Sequence, residues 1–317
     1  MKGLDYFLTT SIKFLKFFAY FLLFDIINFI LSLKWKVYMI NVKILADSKY
    51  KDNRVTTFEL EYPRQIHSQL KTHRIFSSNS ASSRAIPLDK MIELVMKNPV
   101  IPIWTKNQKG MTGAPIDAIT KGKATDIWLH ALSNAVDSVK KLQELGIHKQ
   151  NANRLLEPFQ HIKTILTGND FDNFFHLRIA PDVQPEMCEL AKKMKDAYDK
   201  HTPYELKDDE VHCPFFKPVN VKDIDTILTS VALCAQVSYR KENSEPDTVK
   251  RIINMLLTAE RLHASPFEHI CKPMTAEEVA LGLQKGNLKG FKQLRHAVEA
   301  LPPEYKSYDG IVDYFKK

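Results

Sequence analysis

Apolar residues run almost unbroken from 17 to 33, and beyond Met39 the pattern becomes periodic. Ile40–Ala46 and Arg54–Tyr62 are rich in β-branched and alternating residues, which predicts two strands. Phe159–Leu166 predicts a third. Helical spacing is clear in four stripes. The first is Trp128, Ala131, Leu132, Ala135, Val139 and Leu142, and the second is Met187, Leu190, Ala191, Met194 and Tyr198. Ile224, Ile227, Leu228, Val231 and Ala232 make the third, and Val249, Ile252, Ile253 and Leu256 the fourth. Pro185 suits the first position of the second helix, where its missing N–H costs nothing. Residues 63–74 read as a further helix, broken by a Ser-rich loop from Ser77 to Ser83. Lys200–Asn220, with Pro203, Pro214 and Pro218, reads as a linker. Strands and helices alternate without a regular βαβ rhythm, so the expected class is α+β, mixed helices and β-sheet.

The apolar run at the N-terminus divides the chain into a hydrophobic extension, 1–38, and the remainder, 39–317. A secretory signal needs a small-residue cleavage site, but Leu33-Lys34-Trp35-Lys36 follows the run. A membrane span is also disfavoured: the run is short of about 20 residues and carries Asp25 and Asn28 near its centre. Its Phe, Ile, Leu, Lys, Asn and Tyr are what AT-rich codons give, and Met39 opens an ordinary first strand. The extension is therefore expected to come from a start placed too early, with a membrane anchor as the alternative.

Composition adds little to the fold and something to the chemistry. Lys and Arg total 45 against 37 acidic residues, a formal net charge of +8, which favours anionic partners. The four cysteines, Cys188, Cys213, Cys234 and Cys271, are widely spaced with no CxxC pair. That excludes a disulfide framework, predicts a reducing, cytoplasmic setting, and gives no metal site.

The densest polar cluster runs from Tyr62 to Arg84. On a helix over 63–74, Gln69 and His73 share a face four residues apart. Ser77, Ser78, Asn79, Ser80, Ser82 and Ser83 follow within seven residues, closed by Arg84. Short hydroxyls and backbone N–H groups between two arginines suit a phosphate, and a solvated Ser-rich loop is the plainer alternative. No GxGxxG or P-loop is present.

The stretch Thr72-His73-Arg74-x-x-Ser77-x-Asn79-x-x-Ser82-x-Arg84 resembles the signature of the flavin-dependent thymidylate synthases, the ThyX family, at six of seven positions. Thr72 stands where the family usually has arginine, and Ser80 where many members carry glutamate. Further blocks agree: Gln69; Arg154 in Asn-Arg-Leu-Leu-Glu-Pro; Asn173 to Arg178 followed by Gln184 and Glu186; Ala232 to Tyr239; and His263-x-Ser265-Pro-Phe-Glu-His269. The last two lie after the signature rather than before it, so the chain resembles a member with rearranged block order, as in phage-type sequences.

The resemblance implies the family's α+β fold over roughly 39–300, a homotetramer, and active sites built between subunits. It implies FAD contacts from Thr72, His73, Arg74, Ser80, Thr167, Asn173 and Ser265. For dUMP it implies Gln69, Ser82, Ser83, Arg84, Arg154 and Arg178, with Arg178 as the catalytic group. Phe174 and Leu177 are expected to anchor a short helix and leave that guanidinium facing a pocket. The implied reaction is reductive methylation of dUMP to dTMP, with methylenetetrahydrofolate giving the carbon and NADPH the electrons through FAD. The alternatives are an RNA-binding protein or an inactive member. The basic block has few interleaved aromatics of the kind single-strand stacking wants, which counts against an obligatory nucleic-acid partner.

Overall fold

The computed structural model describes residues 40–110, 112–238, 245–257 and 262–316. The hydrophobic extension 1–38, Met39 and Tyr239 lie outside the described residues. Two strands, β1 (Asn41–Tyr50) and β2 (Asn53–Pro63), form a hairpin over Lys51-Asp52, with Lys51 in the left-handed region at φ 53°. Its register shifts between Ile44 and Ala46. With β3 (Ser77–Ser80), β4 (His161–Gly168) and β5 (Tyr204–Glu205) they make a sheet in the order β3-β4-β2-β1-β5. All neighbours are antiparallel except β5, which pairs parallel to β1.

One face of this sheet is apolar because alternate residues point the same way. Phe58, Leu60 and Tyr62 of β2 and Ile162 and Leu166 of β4 are buried there. Helices Asp172–Arg178 and Pro185–Lys200 cover them, the second contributing Met187, Leu190, Ala191 and Met194. At the sheet's β4 end the aromatic rings interlock: Phe171 meets Phe58 edge-on at 5.4 Å and stacks on Phe76 at 4.9 Å. The buried carboxylate of Asp47 receives Arg54 through two hydrogen bonds of 2.9 and 2.7 Å. Arg54 also donates to the Tyr198 carbonyl at 2.8 Å, so a paired charge ties the end of the covering helix to the hairpin.

Two further apolar clusters flank the sheet. Helices Leu88–Lys97 and Ala118–Glu144 enclose one with the segment Asn153–Phe159. Helices Ile224–Ala235 and Pro246–Leu257 enclose the other with Phe267, Ile270, Val298 and Ile311.

The α+β expectation holds, and the helical stripes sit on core faces except for Ala131, which is exposed. Several local expectations are corrected. The helix expected over 63–74 is two short pieces, a 3-10 turn Arg64–Ile66 and a helix His67–Lys71, because Pro63 still pairs in β2. The Ser-rich segment is not all loop: Ser77–Ser80 is an edge strand on β4. Helix Leu88–Lys97 was not anticipated, and Lys200–Asn220 holds three two-residue strands. Phe174 and Phe175 anchor the short helix, whereas Leu177 is 47% exposed.

Gly168 closes β4 where a Cβ would stand 2.6 Å from Phe76 and 3.0 Å from Phe171. Those rings are locked in the stack and have no room to retreat. Gly168→Ala is expected to lower unfolding free energy by about 1–3 kcal/mol, the usual cost of overpacking, measured by urea denaturation. An unchanged midpoint would show that the aromatic stack yields freely.

Candidate active site

The segment that carries the signature is held at both ends. Its first part, Thr72-His73-Arg74, is the turn that leaves helix His67–Lys71. Thr72 N–H bonds to Gln69 and His73 N–H to Leu70, so the helix closes in a tight turn. Its middle, β3, pairs residue by residue with β4, Ser77 opposite Thr167 and Ser80 opposite Thr164. Cross-strand hydroxyls reinforce the ladder, as in Ser80 Oγ to Thr164 Oγ1 at 2.9 Å. Its last part, Ser82 to Arg84, is a turn, with Ala85 N–H donating to the Ser82 carbonyl at 3.0 Å.

Arg178, at the end of helix Asp172–Arg178, reaches across to the first part. Its Nε donates to His73 Nε2 at 2.8 Å and its Nη2 to Thr72 Oγ1 at 3.1 Å. The Thr72 hydroxyl in turn donates to the Gln69 carbonyl at 2.7 Å. Since His73 Nε2 accepts, the ring proton sits on Nδ1. Burial and the neighbouring Arg178 charge both lower the His73 pKa, which keeps the ring neutral and able to accept. Phe174 meets the His73 ring edge-on at 4.9 Å and fixes its plane. No carboxylate pairs with Arg178 among the described residues, so its remaining N–H groups are available to an anionic ligand.

A second set of polar groups lies behind this cluster. Gln69 bonds to Gln184 through the amide side chains. Gln184 Nε2 donates to Glu186 at 3.1 Å, and Glu186, 2% exposed, also receives Gln65 at 3.2 Å and the Ile103 N–H at 2.7 Å. Gln69 is therefore oriented from behind by a buried carboxylate rather than by charge pairing.

The remaining expected residues divide by what already holds them. Arg74, Arg84, Asn173 and Ser265 are exposed, and their side chains make no hydrogen bond or ion pair among the described residues. Arg154 is 64% exposed, with Glu157 3.7 Å away. Ser83 is buried, and its carbonyl receives Asn153 Nδ2 at 2.8 Å. The Ser82 N–H donates to Ser238 Oγ at 2.9 Å. Ser80 and Thr167 have their hydroxyls committed inside the sheet. Thr167 is fully buried in a polar chain: Ser48 to His212 (2.8 Å), His212 to Thr57 (2.8 Å), Thr57 to Thr167 (2.7 Å) and Thr167 to His269 (2.8 Å).

Residues 52–204 match the family model described as thymidylate synthase complementing protein. The matched segment makes up just under half of the chain. No curated protein sequence matches the chain. Among solved structures, the UMP/dUMP methylase PolB from Streptomyces cacaoi, bound with 5-Br UMP, is similar over 52% of this chain and 90% of its own, at 16% identity and a TM-score of 0.43. The flavin-dependent thymidylate synthase ThyX from Helicobacter pylori, complexed with FAD and dUMP, is similar over 45% of this chain and 67% of its own, at 21% identity and a TM-score of 0.32.

The family segment ends before several of the residues that brace it. Asn287 Nδ2 donates to the Ile75 carbonyl at 2.7 Å, and Gln293 Nε2 to Ser77 Oγ at 3.0 Å. Both come from far along the chain and went unrecognised in the sequence, because an amide that braces a distant strand has no local pattern. Lys71, a basic residue next to Thr72, bonds through its ammonium to Ser78 Oγ. Gln184 and Glu186 stood in a quoted block without a role. Arg64, a cation just ahead of the signature, is paired with Glu157 at 3.0 Å.

The buried histidines predict a pH dependence. Burial lowers the His212 pKa to about 4 and that of His269 to about 3. Unfolded histidine titrates near 6.5, so between these values the unfolded chain binds more protons. Stability is then fully present above about pH 6.5 and is lost as pH falls towards 4, on the order of 3 kcal/mol for each ring. Denaturation midpoints measured from pH 7.5 to 4 should fall accordingly, and His212→Asn with His269→Asn should flatten the slope. A slope unchanged in the double variant would place the loss in the carboxylates.

Proposed function

We propose that this chain catalyses reductive methylation of dUMP to dTMP, with methylenetetrahydrofolate as carbon donor and NADPH, through FAD, as reductant. The observation that carries the reading is Arg178, held by Thr72 and His73 of the signature with guanidinium N–H groups left over. A residue from one quoted block thus meets the signature block in space, 105 residues apart in the chain.

The donor set suits a flavin dinucleotide. Arg74 offers a free guanidinium for a diphosphate, and Asn173 and Ser265 offer neutral polar groups. His73 adds a flat neutral ring. Bound there, the flavin supplies the electrons that reduce the transferred carbon to a methyl group. Ser80 and Thr167 suit direct contact less well, since their hydroxyls are already used within the sheet. They would act by stiffening β3 and β4.

Arg178 does the work on the pyrimidine. Methylation needs electron density at C5 of uracil, and negative charge then develops on the N3–C4 carbonyl system. A guanidinium stays charged at every working pH and presents parallel donors. Turned towards that carbonyl in a site closed to water, it stabilises the developing charge. His73 and Thr72 fix its orientation beforehand, so little reorganisation is required. Gln69, held by Gln184 and Glu186, is placed to read the base edge, while Ser82, Ser83, Arg84 and Arg154 offer donors to the phosphate.

Arg84 stands at the far end of β3 from Thr72 and His73. Three strand steps alone separate those ends by about 10 Å. In the homotetramer that the resemblance implies, a second copy would contribute groups to the same site.

Arg178→Ala is expected to reduce single-turnover dTMP formation by about 10²–10³-fold, the size of a lost oxyanion-type donor, with flavin content retained. Arg178→Lys should rescue little, because a point charge cannot reproduce two parallel donors. Near wild-type turnover in a folded, yellow Arg178→Ala protein would remove it from the mechanism. Protein that never carries a flavin absorbance band would sink the larger reading.

No cysteine is expected to act as a nucleophile. Cys213, Cys234 and Cys271 are buried, and burial raises the Cys213 thiol pKa to about 12. A variant with all four cysteines replaced by Ser or Ala should keep dTMP synthesis if it folds. A folded, flavin-loaded but inactive variant would point to cysteine addition at C6.

A further inference from the structure

One sizeable cavity lies apart from the signature. About 630 Å³ of space opens between strand Glu210–Val211, helix Ile224–Ala235, the stretch from Ile270 to Ala297, and Phe315 of the last helix. Sites for small molecules commonly have volumes of roughly 300–1,000 Å³ with apolar walls and a few placed polar groups. This one has an apolar floor that includes Ile227, Leu294, Ala297 and Phe315.

Its polar groups are unusual in sign. Lys222, Lys272, Lys285 and Lys292 line it, and no Asp or Glu does. Lys292 is paired with Glu278 just outside the lining, while the other three form no direct ion pair among the described residues. Glu278 also feels the charge of Lys272, so Lys222 and Lys285 are the lining cations least offset among the described residues, and charges around low-dielectric walls focus a positive potential into the space. His296 also lines it, and its Nε2 is buried with no hydrogen-bond partner among the described residues. Its Nδ1 lies 3.7 Å from Glu299 Oε2.

We propose that this cavity binds a small organic anion with an apolar or aromatic body. The body lies on the Ile227, Leu294 and Phe315 floor. The acidic group sits among Lys222, Lys272 and Lys285. Gln293 lines the same cavity and donates to Ser77 of β3, so the site backs onto the signature strand without sharing its catalytic groups. The proposal does not depend on the methylation reading.

Two dyes of like ring system test it on the full chain: anilinonaphthalene sulfonate, which is anionic, and phenylnaphthylamine, which is neutral. Fluorescence and calorimetric titration should show one sulfonate per chain, saturable, with the neutral dye about tenfold weaker or worse for want of the charge contacts. Lys272→Glu with Lys285→Glu should weaken the sulfonate by at least about tenfold and leave the neutral dye nearly unchanged. Ala297→Trp should abolish both by filling the floor, and Leu283→Trp, at a half-exposed position in the lining, serves if the first variant fails to fold. Inorganic phosphate should compete poorly. Failure to saturate, more than one dye per chain, or binding undiminished by a folded tryptophan variant would overturn the site. Full displacement by phosphate would overturn the apolar body and leave only a bare-anion site.

Discussion

The pairing of β3 with β4 is the constraint on which the candidate site depends. Four short polar residues, Ser77 to Ser80, would be a solvated loop in isolation. Laid along β4 they become an edge strand whose backbone is fixed by a ladder and whose hydroxyls are used by neighbours such as Thr164. The turns on either side then have only one direction to take. Thr72 to Arg74 are delivered to the end of helix Asp172–Arg178, and Ser82 to Arg84 to the neighbourhood of Asn153 and Ser238. An exposed edge invites unwanted pairing, and here it is covered by the chain itself, with Asn287 and Gln293 bonding to Ile75 and Ser77.

The contact between Arg178 and His73 is an electrostatic compromise of the kind functional sites use. A guanidinium beside a histidine would repel a protonated ring, and burial disfavours that ring's charge as well. Both effects act in the same direction, so the imidazole remains a neutral acceptor. The arginine is oriented by neutral partners, and no carboxylate among the described residues cancels its charge. That leaves its field available to a ligand, which a salt bridge to Asp182 or Glu186 would have removed. Glu186 is instead turned inward, where amide donors and a backbone N–H satisfy it.

Behind the sheet, a chain of hydroxyl and imidazole groups runs from Ser48 to His269 in the interior. Buried polar groups of this type are tolerated where they find partners, as all do here except His269 Nε2, which has none among the described residues. The chain joins β1, β2 and β4 to the segments at His212 and His269, stitching the second half of the sequence to the first. It leaves Thr167 fully buried, unlike the exposed Arg74 and Asn173 with which the resemblance groups it.

The sequence by itself determined the fold class, the long helices and most of the central strands. Those follow from periodicity, which is local: the Met187–Tyr198 stripe and the alternation in Arg54–Tyr62 need no partner to be legible. It also determined the signature, because residue types at fixed spacing survive as a pattern. Tertiary structure alone decided which of those residues remain free. Ser80 and Thr167 read like ligands and are sheet hydroxyls; Arg64 reads like a spare cation and is paired with Glu157. It also decided that Ser77–Ser80 is a strand, since edge pairing draws its stability from β4, more than 80 residues away. The contact between Arg178 and His73 was equally illegible, because a hydrogen bond across 105 residues depends on packing and leaves no trace in either local sequence.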